Sequence, residues 1–193
     1  AQTFNFFGAG VQASISGSTV GVHIPGTEVL IQQISLSNTG TITFNNIPST
    51  PFTQLRLVIR VRTAVAAGTD QIALRVGNGS PSSAAIYSYA VRREGAAQAT
   101  AQSAVGTSIP EIIIPGNTAA VGYYGTVEYI IDGYNEGHWK EISIYGGHTD
   151  PTGYRINTGF GTWRSNSIID TLQIFGIANS SLISGSYARL YGL

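Results

Sequence analysis

Apolar and polar positions alternate along most of this chain. In LRLVIRVR, Leu55, Leu57, Ile59 and Val61 fall on one face, and Arg56, Val58, Arg60 and Arg62 on the other. That is the pattern of a half-buried strand. The same period of two places Ile42 with Phe44, Ile72 with Leu74 and Val76, and Ile142 with Ile144. In TVEYIID it sets Val127, Tyr129 and Ile131 opposite Glu128, Ile130 and Asp132. DTLQIFGI is apolar on both faces, which predicts a central strand.

Turn signals (NTG, NNIPSTP, AAGTD, GNGSP, DGYNEG, GGHTDPTG) separate these runs. Their recurrence has the spacing of an all-β sandwich or barrel; of the two, the expected fold is an antiparallel, jelly-roll-like sandwich. No stretch keeps a capped helical period. Residues 90–105, AVRREGAAQATAQSAV, are Ala-rich without an apolar stripe and read as a long loop, with a short helix as the alternative. No long-period repeat or heptad seam is present. Residues 1–39 alternate less cleanly, although TFNFF, STVGVHI and EVLIQQIS each read as short strands. The expected organisation is an N-terminal arm over 1–39 and a sandwich domain over 40–193. The last residues, SYARLYGL, read as a closing strand, expected to pair antiparallel with the 168–177 strand and to bury Leu190.

Composition narrows the chemistry. The chain has 193 residues and no cysteine, which excludes disulfides and thiolate sites. Charged residues are 10% of the total and cancel to a net charge of zero. A neutral chain with a single lysine, Lys140, is a poor binder of nucleic acid or of an anionic membrane. No apolar run is long enough to span a bilayer. The start, AQTFNFFGAGV, lacks the pattern of a signal peptide; the expectation is a cytoplasmically made chain that lost its initiator Met, with a processed or engineered start as the alternative.

Candidate catalytic groups are sparse. His138, His148 and Asp150 fit no standard metal spacing, and two loop histidines are the plainer reading. Glu128 and Asp132 share a strand face about 13 Å apart, too far for a glycosidase pair unless a neighbouring strand supplies Glu141. There is no nucleophile elbow and no phosphate-binding glycine loop. The expectation is a non-enzymatic protein with no catalytic residue, metal or cofactor. The Arg56, Arg60, Arg62 row reads as a solvated face or one paired with acidic neighbours.

Aromatic residues crowd the region from Tyr123 to Trp163 among Gly, Asn and Thr. They suit either a sandwich core and subunit interface or a platform for sugar rings. Tyr134, Trp139, Tyr154 and Trp163 are the candidate ligand or interface residues, with Tyr134 and Trp139, beside DGYNEGH, expected to be the most exposed.

Three motifs carry a resemblance. The first is a strand ending in Ile47-Pro48, followed by a Thr/Pro link and the Leu55, Leu57 strand. The second is Trp163 with a polar stretch and then Ile169, Leu172 and Ile174. The third is the terminal Gly185-Ser186…Leu190-Tyr191-Gly192-Leu193. In this order, over roughly residues 40–193, they resemble a family of tailed-bacteriophage virion proteins usually labelled tail-fibre or minor structural proteins. The resemblance implies a β-sandwich on the virion surface, commonly a homotrimer. Its expected partners are further copies of itself and the major capsid protein or other virion proteins. A capsid decoration or cement protein fits the short chain without a shaft. A tail-fibre tip contacting host surface glycan is the alternative.

Overall fold

The computed structural model describes residues 12–16, 19–23, 28–95, 99–150, 153–177 and 180–193. Residues 1–11, and with them the TFNFF strand expected in the arm, lie outside the described residues. The fold is an all-β sandwich of two antiparallel sheets, with a separate hairpin of β1 (Gln12–Ser16) and β2 (Thr19–His23).

The strands follow the alternation closely. In β5 (Gln54–Val61) every second residue is buried, from Leu55 to Val61. The same holds for β11 (Gly125–Asp132), where Val127, Tyr129 and Ile131 point inward. Other strands preceding β11 are β3 (Val29–Ser35), β4 (Ile42–Phe44), β6 (Thr69–Asn78), β7 (Ser80–Pro81), β8 (Tyr87–Gly95), β9 (Ala99–Gly106) and β10 (Ile109–Pro115). After it come β12 (Lys140–Asp150), β13 (Gly153–Trp163), β14 (Thr171–Gly176) and β15 (Tyr187–Gly192).

The larger sheet has eight strands in the order β3-β15-β5-β11-β12-β13-β8-β9. The smaller has five, β10-β6-β14-β4 with β7 beside β6. Ile42, Phe44, Leu74, Leu172 and Ile174 of the small sheet meet Leu57, Ile59, Val127, Ile142 and Leu190 of the large one in a single core. Two polar clamps add direction to this packing. The Tyr87 hydroxyl on β8 accepts from Val76 N of β6 at 3.0 Å and donates to Val76 O at 2.8 Å. The buried Asn157 amide on β13 accepts from Ile113 N and donates to Ile113 O of β10, both at 3.3 Å. A Cβ on Gly161 would lie 2.1 Å from Ile109 Cδ1, so a larger residue there would force the Ile109 side chain of β10 to shift.

Three expectations change. β15 is a buried closing strand with Leu190 fully inside, but it does not pair with β14. It lies in the other sheet, between β3 and β5. The chain crosses over at Leu182, which bridges both Gly40 and Thr63, so the turn before β15 switches sheets instead of forming a hairpin. Residues 90–105 are not a long loop. They form most of β8 and β9, because pairing of β8 with β13 and of β9 with β8 supplies what weak strand propensity does not. Finally, β3, grouped with the arm in the sequence, hydrogen-bonds to β15 as a strand of the large sheet.

Two outcomes follow from this architecture. A chain ending at Gly185 loses the strand that joins β3 to β5; it fails to accumulate as a soluble folded protein, checked by circular dichroism and size-exclusion chromatography. Burial pushes the Tyr87 and Tyr134 phenols up to about 12. In the unfolded chain they ionise near pH 10. Between those values the unfolded state binds fewer protons, so stability is intact below pH 10 and falls as pH rises towards 12. Melting temperature against pH, with tyrosinate absorbance recorded in parallel, reads this directly.

Candidate functional site

The inner face of the large sheet is consumed by the core, which leaves its edges and its outer face for contact. Strand parity sorts that face into two halves. Over β3, β15, β5 and β11 it is richer in charge, and its arginines are engaged, although Leu30 on β3 is half exposed. Arg56 Nη1 contacts Glu28 Oε1 at 2.6 Å and Nη2 contacts Glu128 Oε2 at 2.9 Å. The hydrogen bonds to Glu128 and Glu28 hold this guanidinium above its already high range. Arg189 Nε donates to Gln33 Oε1 at 2.8 Å. Arg60 stacks 4.0 Å from the Tyr124 ring centre.

Over β12, β13, β8 and β9 the outer face is aromatic and carries fewer charges. Tyr145, Tyr154, Ile156 and Phe160 project from the long β12–β13 hairpin and are about half exposed, Phe160 the most at 59%. Beyond them stand small side chains, Ala90 on β8 and Ala101 and Ser103 on β9. Phe160, Tyr145, Thr158, Arg92 and this small-residue border line a shallow groove of about 410 Å³. A second groove of about 550 Å³ runs past Tyr154, Ile156, Thr126, Tyr123 and Tyr124 at the other end of the hairpin. The charges here are the Arg92–Glu94 ion pair, Arg92 Nε to Glu94 Oε1 at 2.7 Å, the exposed Glu141 on β12, and Arg60 and Arg155 in the lining of the second groove.

The four candidate aromatics separate. Trp139 and Tyr154 are exposed; Tyr134 and Trp163 are buried. Tyr134 is therefore a correction. It sits in the turn after β11, where its ring fills the core and its hydroxyl donates to Pro48 O. Asn135 Nδ2 donates to Ser49 O at 2.7 Å and to Phe52 O at 3.0 Å, bolting the same turn to the 48–52 segment. Trp163 ends β13 at 3% exposure, with the Lys140 ammonium 6.0 Å from its ring centre. Lys140 is itself buried and donates to Glu136 O and His138 O. Desolvation lowers its pKa, against the opposing pull of Glu136. Trp139 and Tyr154 are at opposite ends of β12, since Tyr154 pairs with Thr149. At ~3.3 Å per residue they are ~33 Å apart and cannot share a small ligand.

The remaining chemistry candidates do not converge. His138 and His148 are separated by the length of β12, ~33 Å by the same rise. Among the described residues no group of three His, Cys, Asp or Glu is placed to hold a metal. Asp132 and Glu141 do come opposite each other in the β11–β12 ladder, as the sequence allowed. Both are exposed, Asp132 Oδ1 accepts from Gly133 N, and neither lines the two grooves. Of the arginine row, Arg62 departs from the outward pattern. It lies beyond the end of β5 and turns inward, donating to the carbonyls of Gly116, Asn117, Ala119 and Ala120.

Tyr145, Ile156 and Phe160 were missed as candidates. Their signal was parity. Tyr145 is out of phase with Ile142 and Ile144, and Phe160 stands between Gly159 and Gly161. Comparison of the chain with family models, curated proteins and solved structures gives no match.

A surface role and a core role predict different costs. Phe160→Ser should change stability by no more than about 0.5 kcal/mol, whereas Trp163→Ala should cost about 3–5 kcal/mol. Urea unfolding of both variants checks this, and a large loss for Phe160→Ser would place that ring in the core.

Proposed function

We propose that this chain is a non-enzymatic structural protein of a tailed-phage virion, acting as a capsid decoration or cement protein. The observation that carries the reading is the outer face of β12, β13, β8 and β9. It presents aromatic and small side chains in a rigid sheet, with its Arg92–Glu94 charges already paired. Such a face can adhere with few isolated charges to desolvate, Glu141 at the border with β11 being one of them. The resemblance of residues 40–193 to virion proteins supplies the setting. On this reading the sandwich is a rigid body, copies associate as a homotrimer, and the aromatic face fastens them to the shell or to each other. No cofactor takes part.

The second reading, a fibre tip or receptor-binding module, is favoured by the same exposed rings. Phe160 and Tyr145 beside the hydroxyls of Ser103 and Thr158 offer flat apolar faces with polar neighbours, which suits a sugar.

Stoichiometry separates the two. A cement protein is present in purified particles at a copy number comparable with the major shell protein, and particles stripped of it lose resistance to heat or low salt. A fibre tip is present at a small fraction of that number, and antibody against it blocks adsorption. Absence of the chain from virions overturns both.

A further inference from the structure

Among the described residues the two sheets have four edges, at β3, at β9, at β4 and at β10 with the two-residue β7 on the same side of β6. An open edge invites pairing with another chain, and proteins blunt it by shortening, proline, charge or a bulge. Three of these edges carry such a device. β4 is only three residues long. β10 contains Pro110 and Pro115 and shifts register between Ile109 and Ile112. The β3–β15 ladder shifts register at Leu190/Tyr191.

β9 has none. Its eight residues, ATAQSAVG, include no proline and no charge. Its ladder with β8 runs unbroken from Tyr87↔Gly106 to Glu94↔Ala99. Ala101, Ser103, Ala104 and Val105 are exposed, so both faces of the strand are open.

We propose that β9 is a self-pairing edge, at which two copies of the chain join antiparallel across a two-fold axis and fuse their eight-stranded sheets into one continuous sheet. An antiparallel strand pairs with its own copy isologously and closes after one partner. A second copy suits this edge on charge. The net charge of the chain is zero, and neither strand brings a like charge opposite its equal. The nearest charges on the outer face, Arg92 and Glu94, satisfy each other at 2.7 Å. Small side chains in β9 let two backbones approach without obstruction, and main-chain hydrogen bonds then supply the affinity.

Outer faces on one side require odd-numbered residues of one copy to oppose odd-numbered residues of the other. An axis through Ser103 meets this condition. It sets Ser103 opposite Ser103 of the second copy and covers the exposed Val105 with Ala101 of that copy. The contact is distinct from any three-fold contact. Combined with a homotrimer it yields assemblies with an even number of chains.

The chain has no cysteine, so a single introduced thiol reports the contact without background. Ser103→Cys should form a disulfide-linked dimer under mild oxidation of the native protein. Val121→Cys, on a fully exposed loop residue, should not. Ser103→Lys sets two ammonium groups opposite each other; light scattering should then show half the wild-type mass, with an unchanged melting temperature. Two results overturn the proposal: a wild-type mass of one chain at all concentrations, or a multimer whose mass Ser103→Lys leaves unchanged. A trimer that survives Ser103→Lys after the even-numbered assembly is lost separates this contact from the three-fold one.

Discussion

The fold depends on β15 being hydrogen-bonded along both of its edges. On one side it pairs with β5 from Tyr187↔Arg60 to Gly192↔Leu55, and on the other with β3 from Tyr187↔Ser35 to Gly192↔Val29. Beyond it, Leu193 N donates to Gln54 O, while Thr53 N and Gln54 N donate to Leu193 O. Backbone groups in a sheet interior must be paired, because an unpaired buried amide costs as much as a lost hydrogen bond. Without β15 the inner edge of β5 and all of β3 would lack partners. The Arg189–Gln33 bond spans 156 positions of sequence, so closing this gap is an entropically costly contact that the buried Ala188 and Leu190 must offset.

The segment leading into β15 serves the same constraint. Ser186 is buried, and its hydroxyl accepts from Arg62 N at 3.3 Å. Arg62 in turn donates through its guanidinium to four carbonyls between Gly116 and Ala120. One buried cation thus organises the turn before β11 by capping backbone oxygens, with no carboxylate among these partners. Lys140 does the same for the turn between β11 and β12. In a chain this poor in acids, carbonyl oxygens are the abundant acceptors. Hydrogen bonds to a charged donor are stronger than neutral ones, so two turns become rigid at the ends of the central strands.

Much of this was legible in the pattern of residues, and what was not has physical reasons. Alternation reports which face of a strand is buried, so Leu55 to Val61 and Val127 to Ile131 read correctly. It carries no information about which strand lies alongside, because any apolar face suits any core. For that reason the partner of β15 was assigned to the wrong sheet. Residues 90–105 carry small side chains of weak preference, and only their neighbours decide that they are strands. Tyr134 lies in a turn, where no period exists to say whether a ring points in or out. Tyr145 and Phe160 did have a readable phase, but glycines around them diluted the contrast on which phase depends. The sorting of the outer face into charged and aromatic halves was not legible, since it arises only when eight strands are placed in order.

That sorting bears on what the surface can do. A charged side chain brought into a contact must shed water, and the loss is recovered only with good geometry. On the β3–β11 half, Arg56, Arg189 and Arg60 are already committed to Glu28, Glu128, Gln33 and Tyr124. A partner there would compete with bonds already made. On the β12–β9 half, Phe160, Tyr145 and Ile156 stand beside alanine, serine and threonine, and their burial adds about 25 cal/mol for each Å² of apolar surface removed from water. Adhesion through that half is weakly sensitive to salt, because it does not rest on exposed ion pairs. Among the described residues, the edge strand β9 lies next to β8 at the border of that aromatic half, so the open edge and the exposed rings fall on one side of the sheet.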